Sequence, residues 1–285
     1  YDMSGMSVSL NQDGTIVAVG APLNDGNGLE SGHVRVFEDI SGQWIQRGQD
    51  IDGEDFHNWF GHSVSLSSDG NILAVGAPYN DANGFQNSGH VRVFEYISGS
   101  WTQVGLDIEG THNSYFGHSV SLSSDGNSFI VGAIKDNYPG LNSGQARVYK
   151  NISNSWVQVG QDIDGAADGD HLGWSVSISS DGNIISIGSP LNDANGLSNS
   201  GHVSIYHLFS SNWIELDQGI DGDSIDSWSG INISLSGNGE FLAVSDMSFP
   251  NNYKVYQLSF CYGCTDSLAL NYDLTATIDD SSCIF

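Results

Sequence analysis

Five turn dipeptides, Asp13-Gly14, Asp69-Gly70, Asp125-Gly126, Asp181-Gly182 and Asn238-Gly239, divide the chain at steps of 56, 56, 56 and 57 residues. A tryptophan follows four of them, at Trp44, Trp101, Trp156 and Trp213. The chain therefore holds four full copies of one unit and a fifth that ends before its tryptophan. A unit of this size cannot bury its own apolar surface alone, so such a chain must fold by stacking its copies.

The second copy shows what is stacked. From His62 to Ser67, Val64 and Leu66 alternate with Ser63 and Ser65, the period of a half-buried strand. Asp69-Gly70 has the composition of a two-residue hairpin turn, with the positive φ angles that such a turn needs. Ile72 to Ala77 is a short continuous apolar run, expected of a strand covered on both faces. Its Gly76 and Ala77 are small where neighbouring sheets must come close. A polar loop, Pro78 to Gly89, leads to a third strand, His90 to Ile97. Ser98-Gly99-Ser100 then turns into a fourth, from Trp101 to about Ile108.

Each unit is thus a four-stranded antiparallel meander with two partly apolar faces, and stacking around an axis covers both. The fold predicted is all-β, a β-propeller of five blades of about 56 residues, with repeats at 1–56, 57–112, 113–168, 169–225 and 226–258. The fifth blade has strands at Ile231 to Ser236, Phe241 to Ser245 and Tyr253 to Leu258 and lacks the tryptophan strand, so it is incomplete within the chain. Residues 259–285 hold all three cysteines and are expected to form a small disulfide-closed module. The chain opens directly on a first strand with no leader ahead of it, so the natural N-terminus is expected further upstream.

Charge excludes several partners. Against 34 acidic residues stand 7 Lys and Arg, a formal net charge of −27. A nucleic-acid binder needs a basic face to displace counterions, and an anionic membrane would repel this surface. No run of 18 apolar residues is present to span a bilayer. Carboxylates in this number suit divalent cations, calcium above all, or a solvated acidic coat.

The string Phe60-Gly61-His62-Ser63-Val64-Ser65-Leu66, followed by Ala74-Val75-Gly76-Ala77-Pro78, resembles the FG-GAP repeat. Copies recur as Phe116-Gly117-His118-Ser119-Val120 with Val131-Gly132-Ala133, and as Ala18-Val19-Gly20-Ala21-Pro22. The resemblance runs over residues 1–258. It implies an extracellular propeller for adhesion or recognition, like that of integrin α-subunits, often with calcium in its loops. The usual calcium loop ahead of the Val-Gly-Ala-Pro strand, close to Asp-x-Asp-x-Asp-Gly, is replaced here by Ser-Asp-Gly-Asn. The tail from Gly263-Cys264 to Cys283 is similar to short cysteine-bounded modules in secreted proteins of marine Bacteroidetes. Cys264 and Cys283 are expected to pair, closing a loop of about 20 residues and stabilising it by roughly 3 kcal/mol. Cys261 is then left as a free thiol or a link between molecules.

Three loops carry a repeated polar core: Asp25 and Asn27, Asp81 and Asn83, and Asp193 and Asn195, each pair followed by Gly. Alternating oxygen side chains before a glycine begin a calcium loop, and the same residues also build turns. A second acidic set follows the fourth strand: Asp50, Asp52 and Asp55; Asp107 and Glu109; Asp162, Asp164, Asp168 and Asp170; Asp221, Asp223 and Asp226. These form either a cation-binding rim about the axis or separate solvated loops. Arg35, Arg92 and Arg147 share one strand position and are expected to pair with loop acids. His33, His62, His90, His118 and His202 recur from copy to copy, which suggests bonding between strands. The tryptophans are expected between blades, their N–H groups satisfied.

An enzyme needs one asymmetric constellation, whereas nearly every acid here has a repeat-equivalent partner. Asp246 and Lys135 are the exceptions. The function expected is therefore non-enzymatic: a secreted or cell-surface module binding a glycan or protein. The alternative is a subunit of an extracellular fibre that self-associates head to tail, each incomplete fifth blade accepting a neighbour's strand. A glycan-active enzyme ranks below both.

Overall fold

A computed structural model describes residues 1–81, 84–216, 219–247 and 253–258, together with 262–263, 268–270, 278–279 and 282–284 of the C-terminal stretch. The chain is an all-β propeller of five blades, four of them complete and the last with three strands.

Blade 1 comprises β1 (Ser7–Leu10), β2 (Ile16–Ala21), β3 (His33–Asp39), β4 (Trp44–Gln46) and β5 (Ile51–Asp52). Blade 2 repeats the order with β6 (Ser63–Leu66), β7 (Ile72–Ala77), β8 (His90–Ile97), β9 (Ser100–Gln103) and β10 (Ile108–Glu109). Blade 3 has β11 (Phe116–Leu122), β12 (Ser128–Ala133), β13 (Gln145–Ile152), β14 (Ser155–Gln158) and β15 (Ile163–Asp164). Blade 4 has β16 (Ser175–Ile178), β17 (Ile184–Ser189), β18 (His202–Phe209), β19 (Asn212–Glu215) and β20 (Ile220–Asp221). Blade 5 has β21 (Asn232–Leu235), β22 (Phe241–Ser245) and β23 (Tyr253–Gln257).

Two local expectations are refined. The fourth strand is broken: β9 and β10 both pair with β8, and the chain leaves the sheet between them. Gly105 lies in that break at φ +77, where an added Cβ would press on the Trp156 indole of the next blade. The Asp-Gly turn also differs, since only Gly70 has positive φ. Asp69 instead accepts from Ser67 Oγ at 2.6 Å and from Asn71 N at 2.9 Å, locking the turn with its carboxylate.

The serines of the first strand explain how blades join. Ser63 Oγ donates to Gly117 O at 2.8 Å, and Ser65 Oγ accepts from Leu122 N at 2.9 Å. Equivalent pairs link blade 1 to 2, 3 to 4 and 4 to 5. Such contacts require the sheets to come very close, and a Cβ on Gly76 would strike the Gly117 carbonyl. Further out, the Trp101, Trp156 and Trp213 indoles donate to the preceding blade at Arg47 O, Val104 O and Val159 O, 2.8–2.9 Å away. Trp44 has no preceding blade beside it and is half exposed.

The cores lie between blades, each built from the back of one sheet and the front of the next. Position decides burial: Val64 and Leu66 are 9% and 7% exposed, but their blade 1 counterparts Val8 and Leu10 are 63% and 58%. Tyr253 and Val255 on the far face of blade 5 are likewise exposed, where Val34 and Val36 are buried in blade 1. In the tail, Tyr262–Gly263 pairs in parallel with Ile278–Asp279. No helix among the described residues is long and apolar enough to cross a membrane.

Candidate functional site

The third strand of each complete blade begins with a side chain set opposite an acid of the last strand: His33 against Asp52, His90 against Glu109, Gln145 against Asp164, His202 against Asp221. Two residues on, the same face carries Arg35, Arg92, Arg147 and then Ser204. Arg35 donates twice to Asp50, at 3.0 and 2.7 Å, and Arg147 grips Asp162 in bidentate fashion at 3.0 and 3.1 Å. Arg92 is used differently. Its Nε donates to Gln103 Oε1 at 3.1 Å and its Nη1 crosses to blade 1, donating to Asp52 O at 3.3 Å. Glu54 lies 3.7 Å from Nη1 and Asp107 3.9 Å from Nε, with the Phe60 and Phe94 rings about the guanidinium at 5.2 and 5.1 Å.

Beside this pair of blades opens a cavity of about 720 Å³. One wall is aromatic. Trp59 and Tyr79 lie 4.3 Å apart between ring centroids, and the Trp59 indole donates to Glu30 Oε2 at 3.1 Å. His57 Nδ1 is 3.1 Å from the same oxygen, and these partners hold the Glu30 carboxyl below the usual carboxylate range. Trp59 has a left-handed backbone at φ +54. The same conformation recurs at Met3, Tyr115, His171 and Trp228, so it belongs to the blade scaffold.

The other wall brings together Glu54, His90, Asp107 and Glu109. One ligating atom each from Glu54, His90 and Asp107 lie within 4.8 Å of one another, as do those of His33, Asp50 and Asp52. Both trios could hold a metal ion by spacing, although Arg35 and Gln46 already occupy the Asp50 oxygens. His90 is 1% exposed and its Nε2 has no hydrogen-bond partner, while Nδ1 lies 3.9 Å from Asp107 Oδ2. Burial pushes its pKa down to about 4, so the ring is neutral at neutral pH.

The loop residues singled out as calcium ligands take part in hydrogen bonds within and between loops. Asp25, Asp81 and Asp193 accept the backbone N–H groups of Glu30, Asn87 and Asn199 at 2.7–2.8 Å. Asn27 donates to Gly53 O and Asn195 to Asp221, both at 2.9 Å. Asp81 also lines the large cavity. Asn83, Cys261 and Cys264 lie outside the described residues, and Cys283 is in a disulfide. Of the acids after the fourth strand, Asp50 and Asp162 pair with Arg35 and Arg147 and Asp221 with His202, while Asp107 lies 3.9 Å from His90. The His62 and His118 rings meet at a tilt with centroids 4.9 Å apart, as do those of His118 and Trp174 at 5.0 Å.

Three stretches, residues 51–94, 106–149 and 163–206, match the FG-GAP repeat. The chain is a β-propeller with FG-GAP repeats over part of its length. No curated protein matches it in sequence. Among solved structures it is similar to the periplasmic gluconolactonase PpgL of Pseudomonas aeruginosa, with TM-score 0.58 and 19% identity over 89% of this chain and 68% of that one. At this identity the likeness is one of fold.

The expectation of a non-enzymatic adhesion or fibre module is thereby corrected. The similar fold belongs to an enzyme, and this propeller holds a clustered His and carboxylate site of the kind judged missing. The error has a definite source. Glu54 was not among the acids singled out; Thr111, Ala166 and Asp223 stand at its equivalent positions after blades 2, 3 and 4. His90 was set aside as one of a recurring set, although only here do Glu54 and Asp107 reach it from two blades. Trp59, Tyr79 and Glu30 were also missed. Their signal was the departure of this loop from its copies.

Proposed function

We propose that the cavity between blades 1 and 2 binds a neutral polyhydroxylated ligand and that the chain hydrolyses a sugar lactone or a similar ester there. The observation that carries this reading is His90, a ring kept neutral by burial, beside Asp107 and Glu54, on the wall of a 720 Å³ cavity. The Trp59 and Tyr79 faces suit the C–H face of a sugar ring, and the carboxylates suit its hydroxyls. His90 takes a proton from water as the water oxygen adds to the lactone carbonyl carbon. The ring C–O bond then breaks and the departing oxygen receives the proton. Asp107 stabilises the imidazolium formed between these steps. No Lys or Arg lines the cavity, so the carboxylate product is repelled and leaves.

The name of the Pseudomonas enzyme supports the choice of lactone. The Cys283 disulfide supports an extracellular or cell-surface setting. The test is hydrolysis of glucono-δ-lactone, followed by proton release above the spontaneous rate. The expected result is a catalysed rate in the native chain that falls at least about 100-fold in His90→Gln, the loss of a general base. Gln stands at the same position in blade 3, so this variant should fold. A rate equal to buffer, with no binding of a neutral sugar at tens of millimolar, overturns the proposal.

A further inference from the structure

The blade 3–blade 4 joint departs from the others in a correlated way. Where blades 1–3 carry Arg35, Arg92 and Arg147, blade 4 has Ser204. Where they carry Gln46, Gln103 and Gln158, it has Glu215, and where they carry Asp50, Asp107 and Asp162, it has Gly219. One cation, one anion and one neutral amide become a serine, a glycine and an anion, so the set falls from net zero to −1. A cavity of about 270 Å³ lies at this place, lined by Asp164, Asp170, His202, Ser204, Tyr206 and Glu215 among others.

Ser204, at the position of the three arginines, is one of the lining residues. The lost aspartate side chain is accounted for, because a Cβ on Gly219 would collide with the His202 ring, itself held by Asp221 at 2.6 Å. Tyr206 is not the replacement either. Tyr149 holds the same position in blade 3, where Arg147 is present beside it. Tyr206 also keeps the aromatic face that Phe94 offers Arg92. Three acids surround the cavity: Asp170, 4% exposed, whose Oδ2 accepts from Ala167 N and Asn192 Nδ2; Asp164 of blade 3, whose Oδ1 accepts from Gln145; and Glu215. No Lys or Arg lines the cavity.

We propose that this cavity is a binding site for a guanidinium or alkylammonium group, seated where the other blades supply an arginine of their own. Carboxylates and the Tyr206 face receive the cation, through charge-assisted hydrogen bonds and cation–π attraction. The group can belong to a small free cation or to an arginine side chain of a peptide.

The test is titration of the full chain with agmatine and with a neutral-capped arginine tripeptide in 150 mM NaCl, followed by NMR shifts of residues around Tyr206. Salt at this level screens diffuse binding to the acidic surface. Saturable shifts confined to this joint are expected, weakened at least about 5-fold in Glu215→Gln and abolished in Ser204→Arg, which supplies the cation in cis. Tighter binding of the tripeptide would identify a protein side chain as the source, and equal or tighter binding of agmatine a free cation. Should Ser204→Arg fail to fold, Glu215→Gln decides. Non-saturable shifts, or saturable binding unchanged by Glu215→Gln, overturn the proposal.

Discussion

The joints between blades 1 and 2 and between blades 3 and 4 are built alike and filled differently. In both, a glutamine of the earlier blade, Gln49 or Gln161, donates to the carbonyl and accepts from the N–H of the facing tryptophan, Trp101 or Trp213. In both, a histidine opens the third strand. Yet at one joint Arg92 stands beside acids from two blades next to the 720 Å³ cavity, while at the other Ser204 and acids line a smaller cavity with no cation of the chain among its lining residues. The difference teaches where to look in a repeat protein. What recurs holds the blades together, and chemistry collects where one copy departs from the rest.

The largest expected effect tests the shared part. Trp101→Ala and Trp213→Ala should each cost about 3–5 kcal/mol in denaturant unfolding, because both remove a buried indole from the same setting. Trp44→Ala, with no blade beside it, should cost under about 1 kcal/mol. A large loss at Trp44 would mean its face is covered in solution.

Next comes the filling. Arg92→Ser should destabilise by about 3 kcal/mol, since Glu54 and Asp107 lose the cation between them. Millimolar methylguanidinium should restore part of the loss. Ser204→Arg should leave the melting temperature unchanged or raise it. Equal costs for the two substitutions would mean that both joints need a cation alike.

Acid sharpens the contrast at His90. Its pKa in the folded chain is about 4, below the ordinary histidine value of 6.5, so the unfolded chain binds the proton first. Stability should fall as pH drops from about 6.5 toward 4, with a slope approaching 1.4 kcal/mol per unit from this group. His90→Gln should flatten that slope, measured by urea unfolding across the range. The smallest effect belongs to Glu54→Ala, which copies the residue at position 166 and should change stability by less than about 1 kcal/mol. Its reading lies in catalysis, as a change in lactone turnover.

Much of the fold was legible before any coordinates. The 56-residue period, the alternating Ser-Val-Ser-Leu strand and the Asp-Gly turn specify a meander, and Gly76 announces the close approach of sheets. These are local signals, repeated four or five times, so each copy corroborates the others. The candidate site was not legible for the same reason. Glu54, His90 and Asp107 are far apart in sequence, and reading His90 and Asp107 as members of repeated sets averaged away the one place where the three meet.

By itself, then, the sequence determined the strands, the turns, the number of blades and the acidity of the surface, because each depends on neighbours along the chain or on composition alone. Tertiary structure decided that the carboxylates beside His90 come from two blades, Glu54 and Asp107, whereas those beside His33 are Asp50 and Asp52 of its own blade. It also decided that losing an arginine at Ser204 leaves a hollow rather than a collapsed joint. Both outcomes depend on how closely one rigid sheet can approach the next, a distance set by the serine and glycine contacts between first strands.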